Sequence, residues 1–303
     1  MHLLYLGSAD SWYFRDLSRA AGNRHSITAA PFSNLESRVA GEGIEVASSV
    51  RTRGRASSLE SSHCRLNDAD CVLVRTMPPG SLEQVVFRMD ALASLEAAGT
   101  LVVNPPKAIE VAVDKYLTTS RLARAGLLVP RTMVCQTADA AIEAFADLGR
   151  DVVLKPLFGG EGRGITRLAD EAFALRAFKL VEQLGGVLYL QEFIEHEGYD
   201  VRVLLVGDTA LTMRRRNQLD WRTNVSRGAK AEAYEANEQE LQMARRAAAA
   251  VGAPLAGVDL LPCRDGRLYA IEINAVPGWR ALGRATGVDV SGVVLKWLGS
   301  QVG

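Results

Sequence analysis

The residues best placed to do chemistry lie near the C-terminal end. Gly257-Val258-Asp259-Leu260-Leu261-Pro262-Cys263 and Leu268-Tyr269-Ala270-Ile271-Glu272-Ile273-Asn274 flank Arg264-Asp265-Gly266-Arg267. Asp-Gly is the favoured loop of a two-residue hairpin. With Asp265-Gly266 as that loop, Arg264 faces Arg267 and Asp259 faces Glu272. Strand alternation puts Asn274 on the face of Glu272. Opposed carboxylates repel, and burial makes this worse. A divalent cation reverses the sign, and an oxygen-only set suits Mg²⁺ or Mn²⁺ rather than zinc. Taken alone, the hairpin fits a metal site or a solvent-exposed hairpin with chance acids equally well. Ile271 and Ile273 are expected on its buried face.

Three further features suggest a phosphate ligand. Lys155 closes an apolar strand and precedes Gly159-Gly160-Glu161-Gly162-Arg163-Gly164. Glycines let backbone N–H groups approach phosphate oxygens, and a lysine neutralises charge. The spacing is not a Walker A motif, and by itself a glycine-rich turn is weak evidence. Tyr189-Leu190-Gln191-Glu192-Phe193-Ile194 is an apolar strand interrupted by two polar residues. It is either an ordinary edge strand or a strand end that receives a base and a ribose. Finally, Gly207-Asp208 reads as a two-residue turn that sets Asp200 opposite Arg215, with Arg202 on the same side as Asp200. From Arg214 to Lys230, six cations face only Asp220 within 17 residues. A solvated basic face or a nucleic-acid patch would explain this, but aromatic interleaving is limited to Trp221. A pocket for an anion or a transferring phosphoryl group fits better.

The elements that must hold these residues belong to an ordinary globular chain. Its 303 residues carry 35 Lys+Arg against 35 Asp+Glu, with 48% hydrophobic residues. That balance excludes global disorder and any whole-chain attraction to nucleic acid. The four cysteines and four histidines show no zinc-ligand spacing. No apolar run approaches 18 residues, so no membrane span is expected. Residues 3–6 read as a first strand rather than a signal peptide, and a cytoplasmic setting follows as the default.

Short apolar strands at residues 3–6, 71–74 and 101–103 alternate with helical segments such as 82–98, which indicates an α/β unit with a parallel sheet. Only an isolated Gly7 follows its first strand, so no dinucleotide site is assigned. The Arg/Ser/Gly-rich stretch 50–62 reads as an exposed loop. Helices are expected over 109–125, closed by Gly126, and over 137–148, with a strand at 132–135 between them. A third region opens near Val187 and contains a helix from Asn237 through Ala250. Glu240 supplies the capping box of that helix.

Taken in order, the motifs are more specific than any one of them. They run Val113-Asp114-Lys115, Lys155 with its glycine loop, Gln191-Glu192-Phe193-Ile194, Asp200-x-Arg202, Trp221-Arg222-Thr223-Asn224, Asp259, and Glu272-Ile273-Asn274-x-x-Pro277-Gly278. Over roughly residues 104–290 this set resembles the ATP-grasp superfamily, and most closely its RimK-type glutamate ligase branch. The closing motif is also shared with D-alanine–D-alanine ligases. The Asp200-x-Arg202 and Trp221-to-Asn224 pieces favour the RimK type.

The resemblance implies an ATP-grasp fold, mixed α/β and α+β, with a Rossmann-like N-terminal domain at 1–104. Subdomains at 105–186 and 187–303 would then clamp ATP. It implies that Lys115, Lys155 and the loop glycines Gly160, Gly162 and Gly164 meet ATP phosphates. Gln191, Glu192, Phe193 and Ile194 would receive the adenine, and Asp200 the nucleoside. Arg222 and Asn224 would hold phosphate or an acyl phosphate, and Arg202 the acidic substrate. Asp259, Glu272 and Asn274 would bind two Mg²⁺ or Mn²⁺ ions.

The implied reaction is carboxylate–amine ligation, with L-glutamate the usual amine. Acceptors within the branch are a ribosomal protein C-terminus, tetrahydromethanopterin, a deazaflavin coenzyme or an amino-group carrier protein. The loop from Phe158 to Gly164 looks closest to the coenzyme-modifying members, so a small-molecule acceptor is expected. Homo-oligomers are common in the family. The rival readings are a non-catalytic nucleotide-binding module and a nucleic-acid binder.

Overall fold

The computed structural model describes residues 1–41, 43–53, 59–76, 78–160 and 162–302. The N-terminal unit begins with β1 (His2–Leu6), α1 (Trp12–Ala21) and β2 (Ser26–Ala30). Then come β3 (Leu35–Ala40), β4 (Gly43–Arg53) and β5 (Leu59–Arg65), an antiparallel sheet of their own. β6 (Cys71–Val74), α2 (Leu82–Ala97) and β7 (Leu101–Val103) complete the unit. The main sheet has the order β2-β1-β6-β7 and is parallel throughout, as the strand–helix alternation required. All four residues of β6 are buried, so its run of apolar side chains faces core on both sides.

The loop expected at 50–62 is instead part of β4 and β5, with residues 54–58 lying outside the described ones. Strand pairing is made by backbone groups and tolerates polar side chains. The ladder is also anchored at its inner end, where Val46 is fully buried and Ser48 Oγ donates to Pro31 O at 3.0 Å.

The single helix expected over 109–125 is two, α3 (Pro106–Val113) and α4 (Lys115–Arg124). Asp114 breaks the run because its carboxylate accepts from Leu117 N at 3.0 Å, as an N-cap does. The break puts Lys115 at the first turn of α4. Next come β8 (Thr132–Cys135), α5 (Ala138–Asp147), β9 (Val152–Lys155), β10 (Thr166–Leu168), α6 (Glu171–Gln183) and β11 (Leu188–Glu192). Their antiparallel sheet, in the order β10-β9-β11-β8, packs on α5 and α6 around its own core of Phe145, Phe178 and Leu190.

β12 (Tyr199–Val206), β13 (Thr209–Arg216), β14 (Lys230–Ala233), α7 (Glu238–Val251), β15 (Leu255–Pro262) and β16 (Leu268–Asn274) follow. The chain closes with α8 (Arg280–Thr286) and α9 (Val290–Gln301). The antiparallel sheet has the order β14-β13-β12-β15-β16. Alternate residues of β12 go to opposite faces. Val201, Val203 and Leu205 share a core with α7, and Leu204 and Val206 share one with α9. Each such buried side chain contributes about 1.5–3 kcal/mol. Asn237 and Glu240 form the expected capping box. Asn104 ties β7 to this sheet: its amide donates to Leu255 O and Ala275 O and accepts from Leu255 N. Among the described residues no helix is long and apolar enough to cross a membrane.

Candidate functional site

Two hairpins set the acidic centre. Gly207, with φ +56°, turns β12 into β13, and Asp200 pairs with Arg215 as the two-residue turn requires. The second hairpin reaches the expected register by a different route. Its loop has three residues: Cys263 N donates to Arg267 O, and Gly266 sits at φ +85°. That shifts the pairing by one, so Leu260 meets Ala270. A bulge at Ile271 then shifts it back, and Asp259 meets Glu272. Ile271 therefore lines the ligand pocket rather than the core, contrary to expectation, while Ile273 is fully buried.

Arg215, on β13, reaches from the first hairpin to the second and is 4% exposed. It bonds Asp200 through Nε at 2.7 Å and through Nη2, which also lies 2.9 Å from Asp259. Arg202 reaches Asp259 in a two-pronged pair at 2.6 and 2.9 Å. Thr223 Oγ1 donates to Asp200. Burial opposes the Asp259 charge, but Arg202 and Arg215 outweigh it and hold the carboxyl below its ordinary value. Burial pushes Asp200 up, against the pull of Arg215.

Glu272 differs from both. It is half-buried and takes no hydrogen bond from the protein among the described residues. Asn274 Oδ1 accepts from Val276 N at 2.8 Å. No three His, Cys, Asp or Glu side chains among the described residues form a metal-ligand group. The candidate set is therefore two carboxylates and an amide. Its oxygen donors fit a hard cation best at Glu272 and Asn274. Asp259 contributes only lone pairs that its arginines leave over.

Both lysines face Glu272. Lys155 Nζ donates to Gln191 Oε1 at 2.5 Å, and burial brings its pKa down to about 8, opposed by the Glu272 charge and reinforced by Lys115. Lys115 Nζ donates to Gly159 O at 2.6 Å, and burial lowers its pKa too, again against Glu272. Gln191 is 3% exposed and anchors on Thr132 and Tyr189. The Glu192 carboxylate is turned onto Arg131, accepting from its backbone N and Nε, both at 2.8 Å. The Phe193 ring carries the Arg167 guanidinium 3.5 Å from its centroid. The Glu192 and Phe193 amides donate to Arg131 O and Asp151 O, whereas the Ile194 N–H has no partner among the described residues.

The glycine loop rests on the segment after β13. Gly162 stands at φ +69°, and a Cβ there would lie 2.5 Å from Asn224 Oδ1. Arg227 Nη2 donates to Gly162 O at 3.2 Å, and Arg222 Nη1 to Ile165 O at 3.4 Å. Arg222 itself forks onto Asp220. Gly164, at φ +70°, packs by Pro156, and Gly160 has open space around it. The basic run is thus dispersed: Arg214 pairs with Glu232, Arg215 is buried and Arg222 holds Asp220. It forms no single solvated face.

Arg215, Asn224, Asp259 and Glu272 border both of two adjacent spaces. The first is lined by Lys155, Gln191 to Ile194, Asp200 and Arg222. The second is a cleft of about 550 Å³ that also includes Arg202, Asn274, Tyr13, Arg75, Arg280 and Arg284. Sequence reasoning omitted Arg215 from the site, although its register opposite Asp200 was a usable signal. It also omitted Tyr13 and Arg75, which only tertiary packing brings near.

Comparisons with known proteins identify the family. The model of the RimK-like ATP-grasp domain family matches residues 112–298. The chain is 33% identical to the tetrahydromethanopterin:alpha-L-glutamate ligase of Methanosarcina acetivorans, over 95% of both chains. It is 33% identical to the ligase of that name from Methanocaldococcus jannaschii, over 76% of this chain and 79% of the other. It is 32% identical to an Escherichia coli ribosomal protein bS6–L-glutamate ligase, over 69% and 70%. Among solved structures, the ATP-grasp ligase PsnB with a minimal precursor superposes with a TM-score of 0.74 at 23% identity, over 99% and 98% of the chains. A RimK domain ATP-grasp protein from Sphaerobacter thermophilus gives 0.72 at 23% identity, over 98% and 99%. The chain belongs to the RimK-like ATP-grasp family and is an ATP-dependent ligase.

Proposed function

We propose that this ligase joins L-glutamate to a carboxylate of a pterin-type coenzyme such as tetrahydromethanopterin. The observation that carries the chemistry is Glu272. It is a carboxylate with no hydrogen-bond partner among the described residues, opposite Asp259 and facing two lysines whose charge is costly to bury. Such an arrangement is matched to a triphosphate with a bound cation. Glu272, Asn274 and Asp259 would hold Mg²⁺ or Mn²⁺, in a pair of ions, which neutralises charge on the phosphates.

In the first step an acceptor carboxylate oxygen attacks the γ-phosphorus, the bond to the bridging oxygen breaks, and ADP leaves. In the second the glutamate nitrogen attacks the acyl carbon, phosphate leaves, and the nitrogen gives up a proton. Lys115 and Lys155 offset the repulsion between two anions in the first step. Asn224, at the junction of the two spaces, and Arg222, on the side of the first, hold the transferred phosphoryl group. Ile194 offers its free amide to the adenine. The loop at Gly160, Gly162 and Gly164 keeps water from the acyl phosphate.

The choice of a coenzyme is supported by the reach of the similarity. It spans 95% of the chain against the Methanosarcina ligase and 69% against the bS6 ligase. The test is incubation with ATP, MgCl₂, L-glutamate and tetrahydromethanopterin, read by mass spectrometry and ADP release. A glutamyl adduct of the pterin is expected. Glu272→Gln is expected to reduce turnover about a thousandfold or more with an unchanged melting temperature. An adduct formed only on a ribosomal or carrier protein C-terminus would move the acceptor to protein, and ATP binding without turnover on any acceptor would leave a binding module.

A further inference from the structure

Arg75 follows β6 at the carboxyl end of the parallel sheet, where open α/β sheets bind ligands. Its backbone N donates to Leu6 O at 3.0 Å, which fixes it at the strand end. The residue is 7% exposed, yet only Nη2 is used, donating to Pro277 O at 2.8 Å. Nε and Nη1 are buried and make no well-formed hydrogen bond among the described residues, although the Tyr5 hydroxyl stands close to the guanidinium. The Trp279 and Tyr13 rings flank the guanidinium, with centroids at 4.2 and 4.8 Å. Aromatic faces favour a cation but supply no acceptor. A buried guanidinium is costly to the fold; the two rings, the Pro277 carbonyl and the nearby Tyr5 hydroxyl offset part of that cost, but no carboxylate among the described residues neutralises the charge.

Its surroundings show what would. Five arginines line the cleft against two carboxylates. One of those, Asp259, is committed to Arg202 and Arg215. Arg280 and Arg284 have no carboxylate partner among the described residues and stand on the same cleft. The cleft is thus short of negative charge. Tyr13 both stacks on Arg75 and lines the cleft. Gly278 is fitted to that ring: a Cβ there would lie 2.6 Å from the Tyr13 hydroxyl.

We propose that Arg75 binds a non-reacting carboxylate of one of the two organic substrates, meeting a charge that no carboxylate among the described residues meets, and so helps set which substrate is accepted. A planar guanidinium matches a carboxylate in shape and charge. The statement rests on the ligase reading for the presence of two such substrates. In turnover with ATP, MgCl₂, L-glutamate and tetrahydromethanopterin, Arg75→Gln is expected to raise the KM of one organic substrate at least tenfold. The KM for ATP should stay within threefold, and Arg75→Lys should recover part of the loss. A rise for the pterin assigns the carboxylate to the acceptor, and a rise for L-glutamate assigns it to the nucleophile. Unchanged KM for both overturns the proposal.

A second measurement does not need turnover. Glutarate, a dicarboxylate without an amine, is titrated against tryptophan fluorescence, since Trp279 lies on Arg75. Saturable binding is expected for the wild type, at least fivefold weaker in Arg75→Gln, with no response to uncharged glutaramide. Arg75-dependent glutarate binding by a chain that ligates nothing would refute the ligase reading and retain Arg75. No glutarate binding, or equal binding by Arg75→Gln, overturns Arg75. So does a fall in melting temperature in Arg75→Gln without any change in carboxylate affinity.

Discussion

Arg215 and Arg75 are both buried and both border the same cleft, at 4% and 7% exposure. Arg215 meets two carboxylates of its own chain, Asp200 and Asp259. Arg75 meets one carbonyl, two aromatic rings and the Tyr5 hydroxyl, and no carboxylate among the described residues. The first is a closed account of charge within the sheet, and the second is open. Burial alone therefore does not separate a structural cation from a ligand-reading one; the partners do.

The sharpest break in this comparison is on stability. Arg215→Met leaves Asp200 without its counter-ion and Asp259 with Arg202 only. Removing one member of a buried pair costs about 3–5 kcal/mol, and urea unfolding should show a loss in that range. Arg75→Gln should lose far less, because it deletes a charge that no carboxylate among the described residues neutralises. Equal losses would erase the distinction drawn between the two arginines.

Lys155 is intermediate: it has a partner, Gln191, but a neutral one. Its pKa of about 8 lies below that of an exposed lysine because of burial. The unfolded chain therefore binds more protons between pH 8 and about 10.4. Stability rises with pH through that window, and the cost of the charged lysine is fully present below it. Affinity for a non-hydrolysable ATP analogue runs the other way, since the phosphates need the ammonium. It should fall by up to about tenfold per pH unit above pH 8, as far as the raised pKa of the bound state allows. Lys155→Met should bind the analogue at least tenfold more weakly at pH 7, be more stable there, and show a flatter pH profile. Titration calorimetry from pH 7 to 9.5 checks both signs.

Much of this was legible in the sequence because local rules agreed with tertiary packing. The Gly207-Asp208 turn put Asp200 on Arg215, and the Asn237 capping box started α7. The Asp259–Glu272 pairing was legible for a partly wrong reason. A three-residue loop and a bulge at Ile271 each shift the register by one, in opposite senses, and no short-range signal distinguishes that pair of irregularities from none. β4 and β5 were missed because their pairing is made by backbone groups beneath polar side chains. Arg75 was missed because its partners, Tyr13 and the segment Pro277–Trp279, lie 62 and 202 or more positions away. Nothing near Val74 in the chain marks the arginine as buried.

The smallest expected effect concerns how the glycine loop meets the cleft. Gly162 is held at φ +69° against Asn224, while Gly160 has no positive φ and no neighbour within 4 Å of a Cβ. An alanine at position 162 must take a left-handed backbone, at a cost of about 1–2 kcal/mol, and also push Asn224 aside. Gly162→Ala should therefore raise the KM for ATP about three- to tenfold and lower kcat, with little change in melting temperature because the loop lies outside the three cores. Gly160→Ala should fall short of that on both counts. If the two alanines behave alike, the loop's glycines matter only for access to phosphate. If position 162 alone is sensitive, the seat on Asn224 couples loop closure to the residue that stands between the nucleotide pocket and the arginine-lined cleft.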